Sequence, residues 1–222
     1  MGALVSGLAH ELNQPLNAIV NYAHGFARRA QDQAISDELL AATDRIVREA
    51  ERASNVIHGL RRLVFRRDSV QDSAQVGVLV SNALDLCAAQ AKQSEVEMRL
   101  LLADPLPTVN VDSVQIEQVI LGLVVNAIES ATISTKERWV EIESQSEAEE
   151  MVKVIVRDSG PGVSPDAKKK VFDPFYTTKD SGLGMGLAIC RSIVEHHGGR
   201  IWCESPAGTG AEFSFTIPAT TA

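Results

Sequence analysis

The strictest pattern in the sequence is a heptad repeat of mostly apolar residues between residues 39 and 64. It fills positions a and d over nearly four heptads, which is typical of a helix that packs along one narrow seam. Its members are Leu39, Thr43, Ile46, Ala50, Ala53, Ile57, Leu60 and Val64. This seam must be buried, and that requirement limits what the first third of the chain can form.

A second amphipathic helix is predicted over residues 8–26, where apolar residues recur at steps of four and three. The polar stretch QDQAISDE separates the two helices, and either Ser36 or Asp37 can serve as N-cap of the later one. Two helices in a hairpin cannot bury the seam alone, whereas a second copy of the hairpin completes a four-helix bundle. We therefore predict a dimeric hairpin; packing of the seam on the C-terminal part of the same chain is the alternative.

Helices and strands are predicted to alternate beyond a polar linker. The predicted helices are VGVLVSNALDLCAAQA, a long one from the N-cap Asp112 to Ala131, and one after GLGMG that ends at the left-handed cap Gly198. The predicted strands are VEMRLLL, the hairpin of WVEIES with MVKVIVRDS, RIWCES and EFSFTI. This order indicates a two-layer α/β sandwich. The long irregular stretch 172–184 is typical of a functional lid, and we expect Phe172 and Phe175 to anchor it.

Charge is unevenly distributed between the two parts. Residues 1–69 contain nine Lys/Arg and eight Asp/Glu, a net charge of +1, whereas the remainder contains 12 and 21, a net charge of −9. The acidic balance argues against nucleic acid as a partner. No apolar run approaches the roughly 18–20 residues needed to span a bilayer, so we expect no direct membrane contact. Cys87, Cys190 and Cys203 have no metal-binding or redox spacing, which predicts buried thiols in a reducing compartment.

Four stretches of the second part indicate a nucleotide site. QVILGLVVNAIES places Asn126 and Glu129 on one face of a helix. DSGPG puts Asp158 at a strand end before Gly160 and Gly162, and FDPFYTTK is rich in aromatic and hydroxyl side chains. GLGMGL offers unhindered N–H groups at a helix N-terminus, where phosphates bind. Its spacing is neither GxGxxG nor GxxxxGK[ST], which excludes the dinucleotide and P-loop sites.

Together and in this order, the motifs resemble those of the sensor histidine kinases of two-component signalling, whose ATP-binding half has the Bergerat (GHKL) fold. AHELNQP resembles the phosphoacceptor H-box, the Asn126 helix the N-box, DSGPG the G1 box, FDPFYTTK the F-box, GLGMGL the G2 box and GTGAEF the G3 turn. HELNQPL, FYTTK and IVEHHGGRIW are similar to the FixL-like branch. The resemblance implies a dimerisation and phosphotransfer hairpin over residues 1–69, a linker at 70–75 and a catalytic ATP-binding domain over 76–222.

The resemblance also implies that His10 is the phosphoacceptor and that Glu11 orients it or acts as its base. Imidazole is a competent nucleophile near neutral pH, and an adjacent carboxylate can fix its tautomer. Pro15 removes a helical hydrogen bond and bends the helix one turn beyond His10. Gln14 stands where many relatives have Thr or Asn, and it is a candidate for positioning water in a phosphatase reaction.

ATP and Mg²⁺ are the implied cofactors. Asp158 is expected to accept a hydrogen bond from the adenine amino group, and Asn126 to offer its side-chain oxygen to Mg²⁺. The other implied ATP-binding residues are Glu129, Gly160, Gly162, Thr178, Lys179, Gly182, Leu183, Gly184, Gly186, Leu187 and Thr209. At Gly122 the family usually has asparagine, so we expect ATP binding to be weakened but not lost.

We therefore predict a cytoplasmic, homodimeric protein-histidine kinase that autophosphorylates His10 and passes the phosphoryl group to an aspartate of a response regulator. Attachment to a membrane through a segment upstream of this chain stays open. The alternatives are a non-catalytic ATP-dependent dimeric switch of the GHKL class and a simple GHKL ATPase. The sequence does not identify the stimulus, the cognate regulator or the choice between cis and trans autophosphorylation.

Overall fold

The helical part of the chain is described only in pieces. The computed structural model describes residues 16–26, 43–48, 50, 71–134, 137–147, 150–179, 184–206 and 209–220. Residues 16–26 and 43–48 are helical, as the period of their apolar side chains predicts. Of the seam residues described, Thr43 and Ala50 are buried, whereas Ile46 is 52% exposed. The other seam residues lie outside the described part.

From residue 71 onward the described chain forms a two-layer α/β sandwich, which confirms the predicted fold class of this half. The helices are α1 (Val76–Gln93), α2 (Ser113–Ala131), α3 (Pro165–Lys168) and α4 (Gly186–His196). The strands are β1 (Asp72–Ala74), β2 (Glu97–Leu102), β3 (Val109–Val111), β4 (Trp139–Glu147), β5 (Met151–Asp158), β6 (Arg200–Glu204) and β7 (Glu212–Pro218). The main sheet has the order β2-β4-β5-β7-β6, with β2 and β4 parallel and the other neighbours antiparallel.

The short strand β1 lies inside the segment predicted as a linker, residues 70–75. It pairs antiparallel with β3, with Asp72 opposite Val111 and Ala74 opposite Val109. Both valines are completely buried, so the apolar side of this small sheet comes from β3. Residues 72–74, which the sequence assigned to a polar linker, thus form a strand that their polar composition did not indicate. The domain boundaries themselves stay a prediction.

The central element of the helical layer is α2, which packs between α1 and α4 and against β4 and β5. Its buried side chains recur at helical spacing: Ile116, Val119, Ile120, Leu123, Val124, Ala127, Ile128 and Ala131. The Asp112 carboxylate accepts a hydrogen bond from the backbone N–H of Gln115 at 3.2 Å, which confirms the predicted N-cap. By length and composition α2 is also the one described helix that could cross a membrane. In this fold those apolar residues form the core.

The imidazole of His197 ties the end of α4 to the beginning of α2. Its Nε2 accepts the backbone N–H of Asp112 at 3.1 Å, and its Nδ1 lies 2.8 Å from the carbonyl oxygen of Ile193. Because a carbonyl can only accept, Nδ1 carries the proton and the ring is neutral in this arrangement. Gly198 follows with φ +75°, which confirms the predicted left-handed cap. These contacts fix the distance between the two helices that carry the site.

The sheet face away from the helices is held by one guanidinium group. Arg157 Nη1 lies 3.0 Å from Glu141 Oε1 and 2.6 Å from Glu143 Oε2, and its Nε lies 2.7 Å from Glu212 Oε2. These contacts join β4, β5 and β7 immediately before Asp158, the last residue of β5. The network therefore sets the register of the strand that delivers Asp158 to the site.

Candidate nucleotide-binding site

The last two turns of α2 bring polar side chains to the edge of the sheet. Asn126 and Glu129 both contact the Nζ of Lys179, and Ser130 contacts the carboxylate of Asp158 at the end of β5. The two partners in each of these contacts are 28 to 53 positions apart in the sequence. The structure therefore gathers Asn126, Glu129, Asp158 and Lys179, all predicted site residues, around one helix end.

Asp158 is the most buried charged group of the site, with 1% of its surface exposed. Its Oδ1 accepts hydrogen bonds from Ser130 Oγ at 2.9 Å and from the backbone N–H of Gly160 at 2.8 Å. Burial raises the pKa of Asp158, and the hydrogen bonds from Gly160, Ser130 and Ala211 oppose this rise. Three neighbouring groups thus hold this carboxylate, which is a hydrogen-bond acceptor when it is ionised.

Glycine is required two residues after Asp158, at position 160. A Cβ atom on Gly160 would lie 2.6 Å from the carbonyl oxygen of Ser130 and 2.8 Å from Asp158 Oδ1, and closer still to Ser130 Oγ. Gly210 packs against the backbone of Asp158 from the other side with φ +82°, where an added Cβ would lie 2.8 Å from the carbonyl carbon. The two glycines allow the backbone to close around Asp158, which explains the DSGPG and GTGAEF motifs physically.

The ammonium group of Lys179 lies between two side chains of α2. Its Nζ donates to Asn126 Oδ1 at 3.1 Å and forms a close ion pair with the Glu129 carboxylate. The hydroxyl of Thr177 accepts the backbone N–H of Lys179 at 3.0 Å and so fixes the turn that presents the lysine. Both charged side chains are partly exposed, 42% for Lys179 and 45% for Glu129. The site thus has two oxygen-bearing side chains that converge on one cation.

The two described ends of the 172–184 stretch meet at Gly184. This residue has φ +65°, and a Cβ on it would lie 2.5 Å from the carbonyl carbon of Phe175 and 2.6 Å from that of Tyr176. Phe172 packs edge-on against Phe213 with ring centroids 6.2 Å apart, which confirms it as an anchor. Phe175 is 56% exposed with φ +68°, so the prediction that it is an anchor is wrong.

The other predicted site residues are packed, exposed, hydrogen-bonded within a loop, or outside the described part of the chain. Gly162, with φ +79°, packs against Ser205 and Gly210, and Leu187 is a partly buried residue of the core. Gly186 begins α4 with open space where a side chain would stand, and Thr178 is exposed beside Lys179. The hydroxyl of Thr209 donates within its own loop to the carbonyl oxygen of Pro206 at 2.9 Å. His10, Glu11, Gln14, Gly182 and Leu183 lie outside the described residues.

Gly122 lies on the side of α2 that packs against α4. A Cβ atom there would lie 3.2 Å from the Sγ of Cys190, a tight contact inside the core. Cys190 is 3% exposed, and burial raises the pKa of its thiol to about 12. Cys87 is buried as well, whereas Cys203 is only half-buried, so the prediction of buried thiols is confirmed for two of the three. The size of residue 122 is therefore coupled to the helix that carries the glycine-rich turn.

Two polar residues of the site were not predicted. Ser130 directly follows Glu129 and lies four residues after Asn126, a spacing that could have identified it as part of the same helix face. Thr177 stands next to the predicted Thr178, and only the turn geometry distinguishes the two hydroxyls. No group of three or more His, Cys, Asp or Glu able to hold a metal occurs in the described ranges.

Comparison with known proteins agrees with this geometry. Residues 1–68 match the family model described as His Kinase A (phospho-acceptor) domain, and residues 111–221 match that described as histidine kinase-, DNA gyrase B-, and HSP90-like ATPase. The sandwich thus defines an ATPase of this class, preceded by a phosphoacceptor helical region. The chain belongs to the sensor histidine kinases.

Individual relatives support the same placement. The chain is 40% identical over 221 residues to the sensor protein FixL of Bradyrhizobium diazoefficiens, covering 99% of this chain and 44% of FixL, which confirms the predicted FixL-like branch. A full-length ShkA structure in complex with AMPPNP is similar with a TM-score of 0.77 at 25% identity, covering 100% of this chain and 47% of ShkA. The histidine kinase ThkA in complex with the response regulator TrrA gives 0.69 at 27% identity, covering 99% and 62%. The chain spans about a quarter to a half of the curated relatives it matches.

Proposed function

We propose that this chain is the kinase core of a sensor histidine kinase, which uses ATP to phosphorylate His10 and then passes the phosphoryl group to an aspartate of a response regulator. The observation that carries the proposal is the pairing on α2 of a buried carboxylate site, through Ser130 and Asp158, with a cation site at Asn126 and Glu129. One end suits a purine and the other a metal-bound polyphosphate. The match of residues 1–68 to the phosphoacceptor family model supports a histidine of this region as the nucleophile.

Asp158 is proposed to select adenine. An ionised carboxylate is a hydrogen-bond acceptor, so it can accept a hydrogen bond from the amino group of adenine. Guanine presents a carbonyl oxygen at that edge, which is also an acceptor. The carboxylate is buried and held by Ser130 and Gly160, so it is pre-oriented for this hydrogen bond. Such preorganisation reduces the cost of binding.

Asn126 is proposed to ligate Mg²⁺, with Glu129 close to the same ion. Their oxygens converge on the Lys179 ammonium, and oxygen atoms are the ligands that Mg²⁺ prefers, so these side chains fit the ion. When bound, Mg²⁺ would neutralise charge on the phosphates. Gly186 is the first residue of α4, and Gly184 lies two residues before it. Their backbone N–H groups are proposed to contact the phosphates, because the N-terminus of a helix favours anions. Gly182, Leu183, Thr178 and Thr209 stay predicted ATP contacts.

His10 and Glu11 are proposed to perform the transfer. The Nε2 of neutral His10 attacks the γ-phosphorus, a P–N bond forms as the bond to the bridging oxygen breaks, and ADP leaves. Glu11 holds the Nδ1 proton and stabilises the positive charge that develops on the ring. An aspartate of the receiver domain then takes the phosphoryl group, and His10 returns to its neutral form. Gln14 is proposed to position a water molecule that hydrolyses the aspartyl phosphate of the regulator and releases inorganic phosphate.

A homodimer and a response regulator are the proposed partners. The ThkA complex with TrrA is a kinase with such a regulator, and the chain resembles ThkA over nearly its whole length. The heptad seam of residues 39–64 favours self-association, which would place two phosphoacceptor hairpins in one bundle. The division at residues 1–69, 70–75 and 76–222 and a cytoplasmic location belong to the same proposal.

The test is incubation of the purified chain with γ-labelled ATP and Mg²⁺. We expect a phosphoprotein that is labile in acid and stable in base, and a His10→Gln variant that binds ATP but takes no label. His24→Gln is the matched control and should be labelled as the wild type is. Nucleotide binding without label would instead identify an ATP-dependent switch. Release of free phosphate that survives His10→Gln would identify a simple ATPase.

A further inference from the structure

The Lys179 ammonium occupies the point where two α2 side chains present their oxygen atoms. It donates to the Oδ1 of Asn126 at 3.1 Å and pairs with the Glu129 carboxylate. These atoms are the ones that the proposed function gives to the metal. A cation that belongs to the protein itself therefore lies at this site.

We propose that Lys179 is a tethered competitor of the metal ion: its ammonium neutralises the Asn126 and Glu129 oxygens until a divalent cation displaces it. This inference rests on the proposed function for the identity of the site. A divalent cation and an ammonium group cannot occupy the same oxygen ligands together, because their charges repel at that distance. Binding of metal and release of Lys179 are then one coupled event.

The contact is built to be displaced. Lys179 and Glu129 are 42% and 45% exposed, and an exposed ion pair contributes little to stability, a factor of up to about five in an equilibrium constant. The side chain of Lys179 has four flexible methylene groups, so the ammonium can leave without moving the backbone. Thr177 holds that backbone through the Lys179 N–H, which returns the ammonium to the same place when the site empties.

Release also makes the lysine available. Once displaced, an ammonium on this short turn stands beside the bound metal and next to the start of α4, where anionic phosphates are expected. The same side chain would thus change partner from carboxylate to phosphate as the nucleotide arrives. Glu129 would have a cation beside it in both states, first the Lys179 ammonium and then the metal ion.

The test measures metal binding in the absence of nucleotide, with Mn²⁺ as the probe, by paramagnetic resonance titration. We expect Lys179→Met, which keeps the length of the side chain and removes the charge, to bind Mn²⁺ about three- to fivefold more tightly than the wild type. Lys92→Met is the matched control: Lys92 is an exposed residue at the end of α1, and its loss changes the net charge equally. Tightening in Lys179→Met alone supports competition.

Equal Mn²⁺ affinity in the three proteins, or equal tightening in both variants, would overturn the proposal, since neither outcome needs Lys179 at the metal site. ADP binding in the presence of Mg²⁺ is measured separately by calorimetry. A protein that binds Mn²⁺ as expected but fails to bind ADP would refute the proposed function and leave the competition intact. ADP binding together with the same Mn²⁺ affinity in Lys179→Met and the wild type would refute the competition and leave the proposed function intact.

Discussion

The hydroxyl oxygen of Ser130 lies 2.9 Å from Oδ1 of Asp158, so the last turn of α2 holds the carboxylate at the end of β5. The same helix presents Asn126 one turn earlier to the cation site. A displacement of α2 would therefore affect the proposed adenine contact and the proposed metal contact together. Nucleotide binding and the position of this helix are thus coupled.

We expect Ser130→Ala to weaken ADP binding about three- to tenfold, because a typical hydrogen bond contributes about 0.5–1.5 kcal/mol. The lost hydroxyl leaves Asp158 Oδ1 with the Gly160 N–H and frees the carboxylate to rotate. Isothermal calorimetry measures the affinity, and Ser81→Ala on the exposed side of α1 is the control. Unchanged affinity in Ser130→Ala would show that this hydroxyl does not orient the carboxylate.

The pH dependence of ADP binding should have an acidic limb set by Asp158. Burial raises the pKa of this carboxyl. Its ionised form is the stronger acceptor for the adenine amino group, so ADP affinity falls as pH falls through the raised pKa. Loss of the Ser130 hydroxyl removes a bond to the ionised form and raises the pKa further. The limb of Ser130→Ala should therefore lie at higher pH than that of the wild type. ADP affinity is measured for both proteins at each pH, so the effect of phosphate protonation is the same for both and cancels in the comparison. Acidic limbs at the same pH in the two proteins would refute the assignment of the limb to Asp158.

Two glycines of the site should respond differently to alanine. Gly160→Ala forces a Cβ against the Ser130 carbonyl oxygen, and overpacking of this kind costs about 1–3 kcal/mol, which thermal unfolding measures. Gly186→Ala meets no atom within 4 Å, so its melting temperature should match or exceed that of the wild type. If phosphates approach the start of α4, Gly186→Ala should still bind ADP more weakly. A lowered melting temperature in both variants would contradict this distinction.

Gly122→Asn should not by itself restore the family's usual contact. An added Cβ already lies 3.2 Å from Cys190 Sγ, so asparagine must push α4 or turn its amide away. We expect the single variant to be destabilised and to bind ADP no more tightly than the wild type. Gly122→Asn with Cys190→Ala relieves the contact and should bind more tightly than Cys190→Ala alone. If the double variant gains nothing over that control, the glycine is not what limits affinity.

Much of the sandwich could be predicted from the sequence because its signals are local. The Asp112 cap, the alternation in β4 and β5 and the glycine after α4 each act within a few residues, and the structure confirms them. Strand β1 escaped because its pairing with β3 is long-range and its own residues are polar. The local sequence pattern of a strand does not indicate which distant strand it pairs with. A three-residue edge strand such as β1 therefore cannot be predicted from that pattern.

Within the site, the sequence identified chemistry better than contacts. Asp158 and Asn126 were predicted as ligand groups, and the structure places both near the C-terminal end of α2: Asn126 lies on the helix, and Asp158 at the end of β5 contacts Ser130. The roles of Ser130, Thr177 and Gly122 depend on which side chain faces which across elements far apart in the chain. Phe175 illustrates the same limit, since its aromatic character indicates burial whereas the turn exposes it.

Gly184 lies against the backbone of Phe175 and Tyr176, so two points eight or nine residues apart in the sequence are close together in the fold. Closure of a loop between fixed ends becomes only slightly more costly as the loop lengthens. A change in loop length between these two points should therefore have little effect on the stability of the sheet. Insertions or deletions between Lys179 and Gly184 should therefore be tolerated by the remainder of the domain, provided that Lys179 keeps its contacts with α2.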